Sequence, residues 1–267
     1  MAMYQLELGG KLVKLYGLPK ETRSEQRTHF ERSGPVSEVE AASEVLVAGS
    51  GAASSNSAYL LRLPVVFLNT VAGEGEAVWT ACRKLGAPDF VLAVVERVNW
   101  SDDMTPWPSE AQAKWEAKCN GRADLYLEKL EGVILPGVLE ALRTRGIEPS
   151  WVGLAGYSLG GLFALYTLWK TDAFTRVASA SGSFWYPDFP EYCASHPLAG
   201  VPERVYLSLG SKESRSKRTR DLDKRTEAIG ELLRNAGAET TFELNPGNHI
   251  HEADRRMAKG ILWILKN

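Results

Sequence analysis

The sequence predicts an α/β protein with a mostly parallel central sheet, helices on both faces of that sheet and an antiparallel hairpin at its N-terminal edge. From about residue 60 onward, short apolar runs alternate with segments that carry apolar residues at helical spacing. The spacers between them have the lengths expected of strand–helix–strand units, which place parallel strands in one sheet covered on both faces. The first residues differ, because YQLEL and KLVKLYG suit two paired edge strands.

The individual elements follow from the same two patterns. Apolar runs predict strands, and apolar residues at helical spacing predict helices. The helical pattern at 123–146 contains Pro136, which lacks a backbone N–H, so we expect a break or kink there. In chain order, the elements predicted after the hairpin are strand 63–69, helix 74–86, strand 89–97, helix 123–146, strand 151–155, helix 159–170, strands 176–181 and 204–210, helix 223–237, strand 240–246 and helix 252–265.

The segment between the hairpin and the first buried strand has no clear pattern. Residues 21–57 are rich in Ser, Glu, Ala and Gly and contain one apolar patch, Val45 to Val47. Partial disorder and an elaborated sheet edge both remain open for it. The length of 267 residues fits one large α/β domain, and we predict a single domain over 1–267.

The charge pattern argues against two classes of partner. The net charge of −2 gives no electrostatic footprint for nucleic acid or for an anionic membrane. A basic stretch, Lys212 to Arg225, is interleaved with acidic residues, and we interpret it as a solvated face rather than a nucleic-acid patch.

The sequence shows no cluster of metal-ligating residues, and we predict neither a metal nor a cofactor.

The N-terminus and the cysteines bear on location. The start, MAMYQLELGG, has no basic region followed by an apolar one, so no secretory signal is predicted. No apolar run reaches the roughly 18 residues of a membrane span. The cysteines Cys82, Cys119 and Cys193 form neither a zinc pattern nor a CxxC pair. We therefore expect reduced thiols in a cytoplasmic protein and leave the oligomeric state open.

One serine stands between glycines where a predicted strand meets a predicted helix. The stretch WVGLAGYSLGGLFALY, Trp151 to Tyr166, contains the pattern G-x-S-x-G around Ser158. Such a turn can lift a strained serine above the sheet as a nucleophile. The glycines also suit a tight strand-to-helix turn with no catalytic role. The functional interpretation therefore requires a base and an acid elsewhere in the chain.

The base should be a histidine that follows the serine in the chain. A serine hydroxyl needs a base to take its proton and an acid to orient that base. Two of the four histidines, His249 and His251, follow the last predicted strand in ELNPGNHIHEADRR. We predict His249 as the base, because it comes directly after the Pro-Gly-Asn turn. The alternative is that both are exposed loop histidines.

The acid is expected after the strand 204–210. This strand ends at Gly210 and is followed by Ser211, Lys212 and Glu213. We predict that Glu213 orients His249 and stabilises the imidazolium formed in the reaction. Asp221 and Asp223 remain alternatives, and Glu213 could also be a solvated member of a charged segment.

An ester-cleaving serine further needs two backbone N–H groups that hold the developing oxyanion. One is expected from Leu159, directly after the serine at the start of a helix. The other is expected from the loop after the strand 63–69, and we predict Ala72 as its donor.

Taken together, the motifs resemble the putative-esterase branch of the α/β-hydrolases, and most of all its siderophore-esterase-like group. The resemblance rests on GLAGYSLGGLFALY, ASASGSFWYP, VYLSLGSKE and FELNPGNH followed by a helix ending in GILWIL, and it covers roughly residues 60–267. It implies an α/β-hydrolase fold and hydrolysis of carboxylic esters through an acyl-enzyme, with Ser158, His249 and Glu213 matching the nucleophile, base and acid. The loop NTVAGEG lacks the aspartate-glycine pair that is common in the family at this place. This loop is the one expected to supply the second oxyanion donor.

Three tryptophans fall in loops predicted after strands, the edge at which open α/β sheets bind ligands. Trp100 and Trp107 belong to NWSDDMTPWP, which could form a lid or pocket wall, and Trp185 follows in SGSFWYP. We predict all three as substrate-binding residues, against the alternative that the indoles cap the core.

The expected function is hydrolysis of a small-molecule ester, of siderophore-like or other bulky type. Acyl transfer to an alcohol or thiol is a second possibility, since the same three residues support it. A binding module of the same fold without activity is a third.

Overall fold

The computed structural model describes residues 3–19, 60–71, 73–110 and 118–266. The segment 21–57 and Ala72 lie outside the described residues. The N-terminal hairpin is confirmed, since strands β1 (Tyr4–Leu8) and β2 (Lys11–Tyr16) pair antiparallel.

The remaining elements follow the predicted order with small shifts at their ends. They are β3 (Leu61–Asn69), α1 (Glu74–Lys84), β4 (Val91–Glu96), α2 (Trp100–Asp103), β5 (Pro108–Ser109), β6 (Cys119–Asn120), α3 (Ala123–Lys129), α4 (Leu135–Arg143), β7 (Ile147–Tyr157), α5 (Leu159–Tyr166), β8 (Arg176–Ala180), α6 (Phe189–Ser195), β9 (Arg204–Gly210), α7 (Leu222–Asn235), β10 (Glu239–Asn245) and α8 (Ala253–Ile264). The short elements α2, α6, β5 and β6 were not predicted from the sequence.

Within the described residues, the strands form one eight-stranded sheet in the order β1-β2-β4-β3-β7-β8-β9-β10, and β5 and β6 pair separately. The pairs β1–β2 and β2–β4 are antiparallel, and the other neighbours in the large sheet are parallel. The chain passes from β3 to β4 on one side and later places β7 on the other side of β3. This reversal of direction is where open α/β sheets bind ligands, beyond the carboxyl ends of the strands.

Both faces of the sheet are buried, as the apolar runs predicted. Successive residues of β3 point to opposite faces, so Val65 and Phe67 pack in one core cluster and Val66 and Leu68 in another. Helices α1 and α8 cover the second cluster, while α3, α4, α5 and α7 cover the first. The mostly parallel sheet with helices on both faces is therefore confirmed.

The long helical pattern at 123–146 is interrupted, as Pro136 predicted. Helices α3 and α4 are joined by a π-helical turn over Leu130–Ile134, and Pro136 lies in the first turn of α4. The backbone stays helical through this junction, and the wider π-helical turn lies where the missing N–H of Pro136 interrupts the α-helical hydrogen-bond ladder. The helix predicted at 159–170 ends as α5 at Tyr166 and continues as a 3₁₀ turn, Thr167–Trp169.

Two of the three cysteines lie in the interior of the protein. Cys82 and Cys193 are buried, and burial raises the pKa of the Cys82 thiol to about 12.

Among the helices that the structure describes, none is both long and apolar enough to cross a membrane.

Candidate active site

Ser158 occupies a strained turn at the carboxyl end of β7. It lies between β7 and α5 with φ 59° and ψ −122°, a backbone conformation that costs a non-glycine residue on the order of 1–3 kcal/mol. The preceding Gly156 makes this turn possible, because a Cβ at that position would lie 2.0 Å from the carbonyl oxygen of Gly160. The glycine pattern thus forms a sharp strand-to-helix turn that projects the serine from the edge of the sheet.

The serine hydroxyl faces His249. The Oγ of Ser158 lies 3.0 Å from Nε2 of His249 and 3.5 Å from Oγ of Ser183. His249 comes from the loop after β10, and its side chain is 43% exposed. The predicted serine and base are therefore within hydrogen-bonding distance across 91 positions of sequence.

Glu213 completes the arrangement on the other side of the imidazole. Its Oε2 lies 2.6 Å from Nδ1 of His249, and its side chain is only 4% exposed. An ionised carboxylate only accepts hydrogen bonds, so Nδ1 of His249 carries a hydrogen and donates a hydrogen bond to Glu213. In the neutral imidazole, Nε2 is then unprotonated and can accept the hydroxyl proton of Ser158.

The second oxygen of Glu213 is also fully engaged. Its Oε1 accepts hydrogen bonds from the Gly210 N–H at 2.6 Å, the Ser181 hydroxyl at 2.9 Å and Nη1 of Arg256 at 3.0 Å. Burial by itself would raise the pKa of Glu213. The hydrogen bond and charge of His249, together with the donors on Oε1, outweigh burial and lower the pKa to about 2. Glu213 therefore stays ionised at any pH at which the protein would work.

Arg256 of α8 ties the acid to the loop that carries the base. Its side chain is 2% exposed, and Nη2 donates to the carbonyl oxygens of Asn248 at 2.8 Å and His249 at 3.0 Å. The hydroxyl of Tyr157 donates to the same His249 carbonyl at 2.6 Å. A buried guanidinium is tolerated only with such partners. Arg256 and Tyr157 thus fix the backbone of the turn from which His249 projects.

The ionisation of Glu213 should be visible in acid stability. The folded pKa of about 2 lies below the ordinary 4.5, so the stabilisation is fully present above pH 4.5 and is lost as the pH falls towards 2. From these two pKa values, the loss between pH 5 and pH 3 is about 1–2 kcal/mol.

We expect the free energy of unfolding of the wild type to fall by that amount more than that of Glu213→Gln over the same interval. Urea unfolding of both proteins at pH 5 and pH 3 measures the difference, and both values lie below the ordinary titration range of imidazole. Equal losses in the two proteins would contradict a strongly ionised Glu213.

The first turn of α5 lies directly beside the serine. The N–H groups of a helical first turn have no acceptor within the helix, so the Leu159 N–H is available at this position. The positive end of the helix dipole favours a negative charge at the same place. The other predicted oxyanion donor, Ala72, lies outside the described residues, between Val71 and Gly73.

Two cavities meet at His249. The first, of about 400 Å³, has a largely apolar lining that includes Leu68, Val78, Trp100 and Met257. The indole of Trp100 packs so closely on α5 that a Cβ at Gly160 would lie 2.9 Å from its Cη2.

The second cavity, of about 470 Å³, is bordered by Ser158, Ser183 and Trp185. Both cavities lie at the carboxyl edge of the sheet, where the fold predicts ligand binding.

Known proteins share this sequence pattern and this fold. A sequence model of the putative-esterase family matches residues 63–253, which is more than half of the chain. The chain belongs to the putative-esterase family. This membership confirms the resemblance to the putative-esterase branch that was predicted from the sequence.

A curated relative of this chain is distant in sequence. YbbA of Bacillus subtilis (strain 168), an uncharacterized protein, is 30% identical over 165 residues, which are 61% of this chain and 66% of YbbA, just under two thirds of its length.

Two solved structures share the fold. The IroE-like serine hydrolase from Shewanella oneidensis is 16% identical, with a TM-score of 0.68 over 98% of this chain and 79% of that one. The siderophore hydrolase EstA from Aspergillus nidulans is 20% identical, with a TM-score of 0.59 over 78% and 84% of the two chains. These likenesses confirm the α/β-hydrolase fold.

The three tryptophans predicted to bind substrate differ in position in this esterase-family chain. Trp100 and Trp185 each line one of the two cavities, although Trp100 begins the short helix α2 rather than lying in a loop. Trp107 lines neither cavity. Its indole N–H donates to the carbonyl oxygen of Pro187 at 3.0 Å, and its ring packs on Tyr166 and Tyr192. Trp107 is thus part of an aromatic cluster packed against the core rather than of a cavity wall. This agrees with the alternative interpretation, that the indole caps the core.

The other candidate bases and acids predicted from the sequence lie away from Ser158. His251 is 53% exposed, and its Nε2 lies 4.0 Å from Glu252. Asp221 pairs with Lys224 at 2.8 Å, and Asp223 accepts a hydrogen bond from Ser214 at 3.0 Å. The structure therefore brings Glu213 to His249 and not either alternative acid.

Sequence reasoning missed three residues that contact the acid or the base. Arg256, Tyr157 and Ser181 all bond to Glu213 or to the His249 backbone. A signal existed for Arg256, because it falls on the apolar stripe of α8 with Met257 and Gly260. A charge within a buried stripe requires a buried partner. No comparable signal marked Ser181.

Proposed function

We propose that this protein is a serine hydrolase that cleaves carboxylic esters through an acyl-enzyme formed on Ser158. The observation that carries the proposal is the continuous hydrogen-bonded line from Ser158 Oγ to His249 Nε2, 3.0 Å, and from His249 Nδ1 to Glu213 Oε2, 2.6 Å. A nucleophile, base and orienting acid within these distances suit acyl transfer. Membership of an esterase family supports the same reaction class.

The first half of the reaction forms the acyl-enzyme. Ser158 Oγ attacks the ester carbonyl carbon while His249 Nε2 takes the hydroxyl proton. The tetrahedral oxyanion is held by the Leu159 N–H and by a donor from the loop after β3, for which Ala72 remains our candidate. When the intermediate collapses, the carbon–oxygen bond to the alcohol breaks, and His249 gives its proton to the departing alkoxide oxygen.

The second half returns the enzyme to its starting state. Water gives a proton to His249 Nε2 and attacks the acyl carbon. The bond to Ser158 Oγ then breaks, and Oγ takes the proton back, which releases the carboxylic acid. Throughout, the ionised Glu213 stabilises the imidazolium on His249 without accepting its proton.

Water is the acceptor that the exposure of the base favours. Because the side chain of His249 is 43% exposed, solvent reaches the imidazole that must activate the second nucleophile. Transfer to an alcohol or thiol requires that water be excluded from the acyl-enzyme. Hydrolysis is therefore our conclusion rather than acyl transfer.

Two cavities on either side of the base suit a bulky ester. Volumes of about 400 Å³ and 470 Å³ are in the range of small-molecule sites. One solved relative is a siderophore hydrolase, and large siderophore-like esters are therefore one substrate type to test.

The test is turnover of an ester panel by the purified protein. We expect hydrolysis of 4-nitrophenyl acyl esters, with siderophore lactones and acyl thioesters as further members of the panel. Added methanol or a thiol should not divert most of the acyl group. A protein that binds these esters but cleaves none would be a binding module and would contradict the proposal.

Replacing Glu213 should show whether its charge serves the reaction. Glu213→Gln keeps the shape but removes the charge that stabilises the imidazolium, so kcat should fall by roughly 10²-fold or more with little change in KM. Asp221→Asn removes a carboxylate from the same segment and should cost less than about threefold. Both are measured on one activated ester. A large loss at Asp221 alone would relocate the acid, and no loss at either would favour a dyad of Ser158 and His249.

A further inference from the structure

The cavity of about 400 Å³ beside His249 has a largely apolar wall. Leu68, Val78 and Met257 of this wall belong to the core cluster that α1 and α8 cover, and the indole of Trp100 borders the cavity from the side of α5. A ligand group that enters the cavity is therefore removed from water and packed against hydrocarbon and an aromatic ring. These surroundings favour the apolar part of an ester.

The carboxyl end of β3 places a hydroxyl in this wall. Thr70 lies directly after the strand and is 5% exposed, and its backbone N–H continues the strand ladder with a hydrogen bond to the Val95 carbonyl at 3.0 Å. Because side chains alternate along a strand, Thr70 points to the same face of the sheet as Leu68, and both residues line the cavity.

The Thr70 hydroxyl has no hydrogen-bond partner within the described part of the chain. The same holds for Nδ2 of Asn69, which is 2% exposed and also lines the cavity, whereas Oδ1 of Asn69 accepts a hydrogen bond from the Tyr126 hydroxyl at 2.5 Å. Buried polar groups are costly without a partner, and nearly all of them in proteins have one. Two adjacent exceptions in the wall of one cavity point to a partner on the ligand.

The ligand atom that suits these two groups is an uncharged oxygen. A hydroxyl and an amide Nδ2 both donate hydrogen bonds, so a carbonyl, ether or hydroxyl oxygen satisfies either of them. A carboxylate would need a cation to offset its loss of water, and the described residues of the cavity wall include neither lysine nor arginine.

We propose that the preferred substrate is an ester whose apolar part fills the cavity lined by Trp100 and carries an uncharged oxygen, hydrogen-bonded at the end of β3 by Asn69 and Thr70. This inference rests on the proposed function, because His249 and Tyr157, the residue before the proposed nucleophile, both line the cavity. It narrows the substrate from bulky esters in general to those whose apolar group carries a hydrogen-bond acceptor.

Matched pairs of esters test this oxygen on either side of the scissile bond. On the acyl side, 4-nitrophenyl 3-(4-methoxyphenyl)propanoate is compared with 4-nitrophenyl 3-(4-ethylphenyl)propanoate, in which a methylene replaces the ether oxygen. On the alcohol side, 2-(4-methoxyphenyl)ethyl butyrate is compared with 2-(4-ethylphenyl)ethyl butyrate. In at least one pair, we expect kcat/KM for the methoxy ester to be higher by about threefold or more, because the ethyl group leaves the buried donors unpaired.

Variants of Thr70 show whether its hydroxyl causes the preference. Thr70→Val replaces the hydroxyl by a methyl group and should lower the methoxy-to-ethyl ratio of kcat/KM by about fivefold, whereas Thr70→Ser keeps the hydroxyl and should hold the ratio within about twofold. If Thr70→Val does not fold, the wild-type ratios and Thr70→Ser still decide the question.

Thr175→Val is the matched control. The Thr175 hydroxyl is also buried without a partner in the described part of the chain, but it lies directly before β8, at the edge of the sheet opposite the cavity. Its replacement should change the methoxy-to-ethyl ratio less than about twofold.

The possible outcomes separate this inference from the proposed function. Cleavage with the ethyl ester turned over as well as the methoxy ester in both pairs would overturn the inference alone. Equal effects of Thr70→Val on the two members of each pair would do the same. Failure to cleave all four esters would contradict the proposed function and the inference with it.

Discussion

Ser158→Ala should lower kcat for an activated ester by about 10³-fold or more. In the proposed mechanism, the change removes the oxygen that attacks the carbonyl, and deletion of the nucleophile costs at least this much in known serine hydrolases. The fold should survive, because the Ser158 side chain makes no capping hydrogen bond to α5. Steady-state kinetics measure the effect, and circular dichroism with thermal unfolding checks the fold.

A neighbouring hydroxyl provides the control. Ser183 is 1% exposed, and its Oγ lies 3.5 Å from that of Ser158. Ser183→Ala removes the same group from the same cavity and should cost less than about tenfold in kcat. Near-wild-type turnover by Ser158→Ala would show that the nucleophile lies elsewhere.

His249→Ala should lower kcat about as much as Ser158→Ala does. Without the imidazole, the serine proton has no acceptor at 3.0 Å, and the leaving alcohol has no donor. Residues that act as a unit are non-additive, so the double variant Ser158→Ala/His249→Ala should be little worse than either single one. The three kcat values on one ester test this.

His251→Ala is the matched control for the base. The residue lies two positions further along the same loop, is 53% exposed and faces Glu252 rather than Ser158. We expect its kcat to stay within about threefold of the wild type. A reversed ranking of the two histidine variants would move the base to His251 and contradict the geometry of the loop after β10.

The predicted serine, base and acid come together because each lies directly after the carboxyl end of a strand in one parallel sheet. The glycine pattern marked the turn at Ser158, and the predicted strands 204–210 and 240–246, observed as Arg204–Gly210 and Glu239–Asn245, marked the loops of Glu213 and His249. Carboxyl ends of neighbouring parallel strands lie at the same edge, so loops distant in sequence converge there. For these three residues, the order of strands and loops along the chain was therefore enough to predict that they lie close together.

The supporting contacts could not be predicted in this way, because they depend on side-chain packing between distant elements. Arg256 reaches Glu213 across 43 positions of sequence, and the Trp107 indole reaches Pro187 across 80. Trp100 and Trp107 belong to the same segment, NWSDDMTPWP, and only side-chain packing places Trp100 in a cavity wall and Trp107 in the aromatic cluster. Similarly, the interleaved charges in the segment after β9 gave no indication that Lys212, Arg215 and Arg218 line the cavity beside Ser158.

Helix α6 shows a second reason why part of the fold could not be predicted from the sequence. The stretch FPEYCAS contains Pro190, which reads as a helix breaker, yet the proline occupies the first turn, where no N–H donor is required. The helix is then stabilised by burial of Phe189 and Cys193 in the core beneath it. Such tertiary burial is invisible in a short segment of sequence.

Detection of the covalent intermediate tests the central proposal most directly. The protein is mixed with an activated ester, so that acylation outpaces hydrolysis of the acyl-enzyme, and is quenched in acid for mass spectrometry of the intact chain and its peptides. We predict a mass increase of one acyl group, located on the peptide that contains Ser158 and absent from Ser158→Ala. Rapid ester hydrolysis without an adduct on Ser158, or with the adduct on another residue, would contradict the proposal.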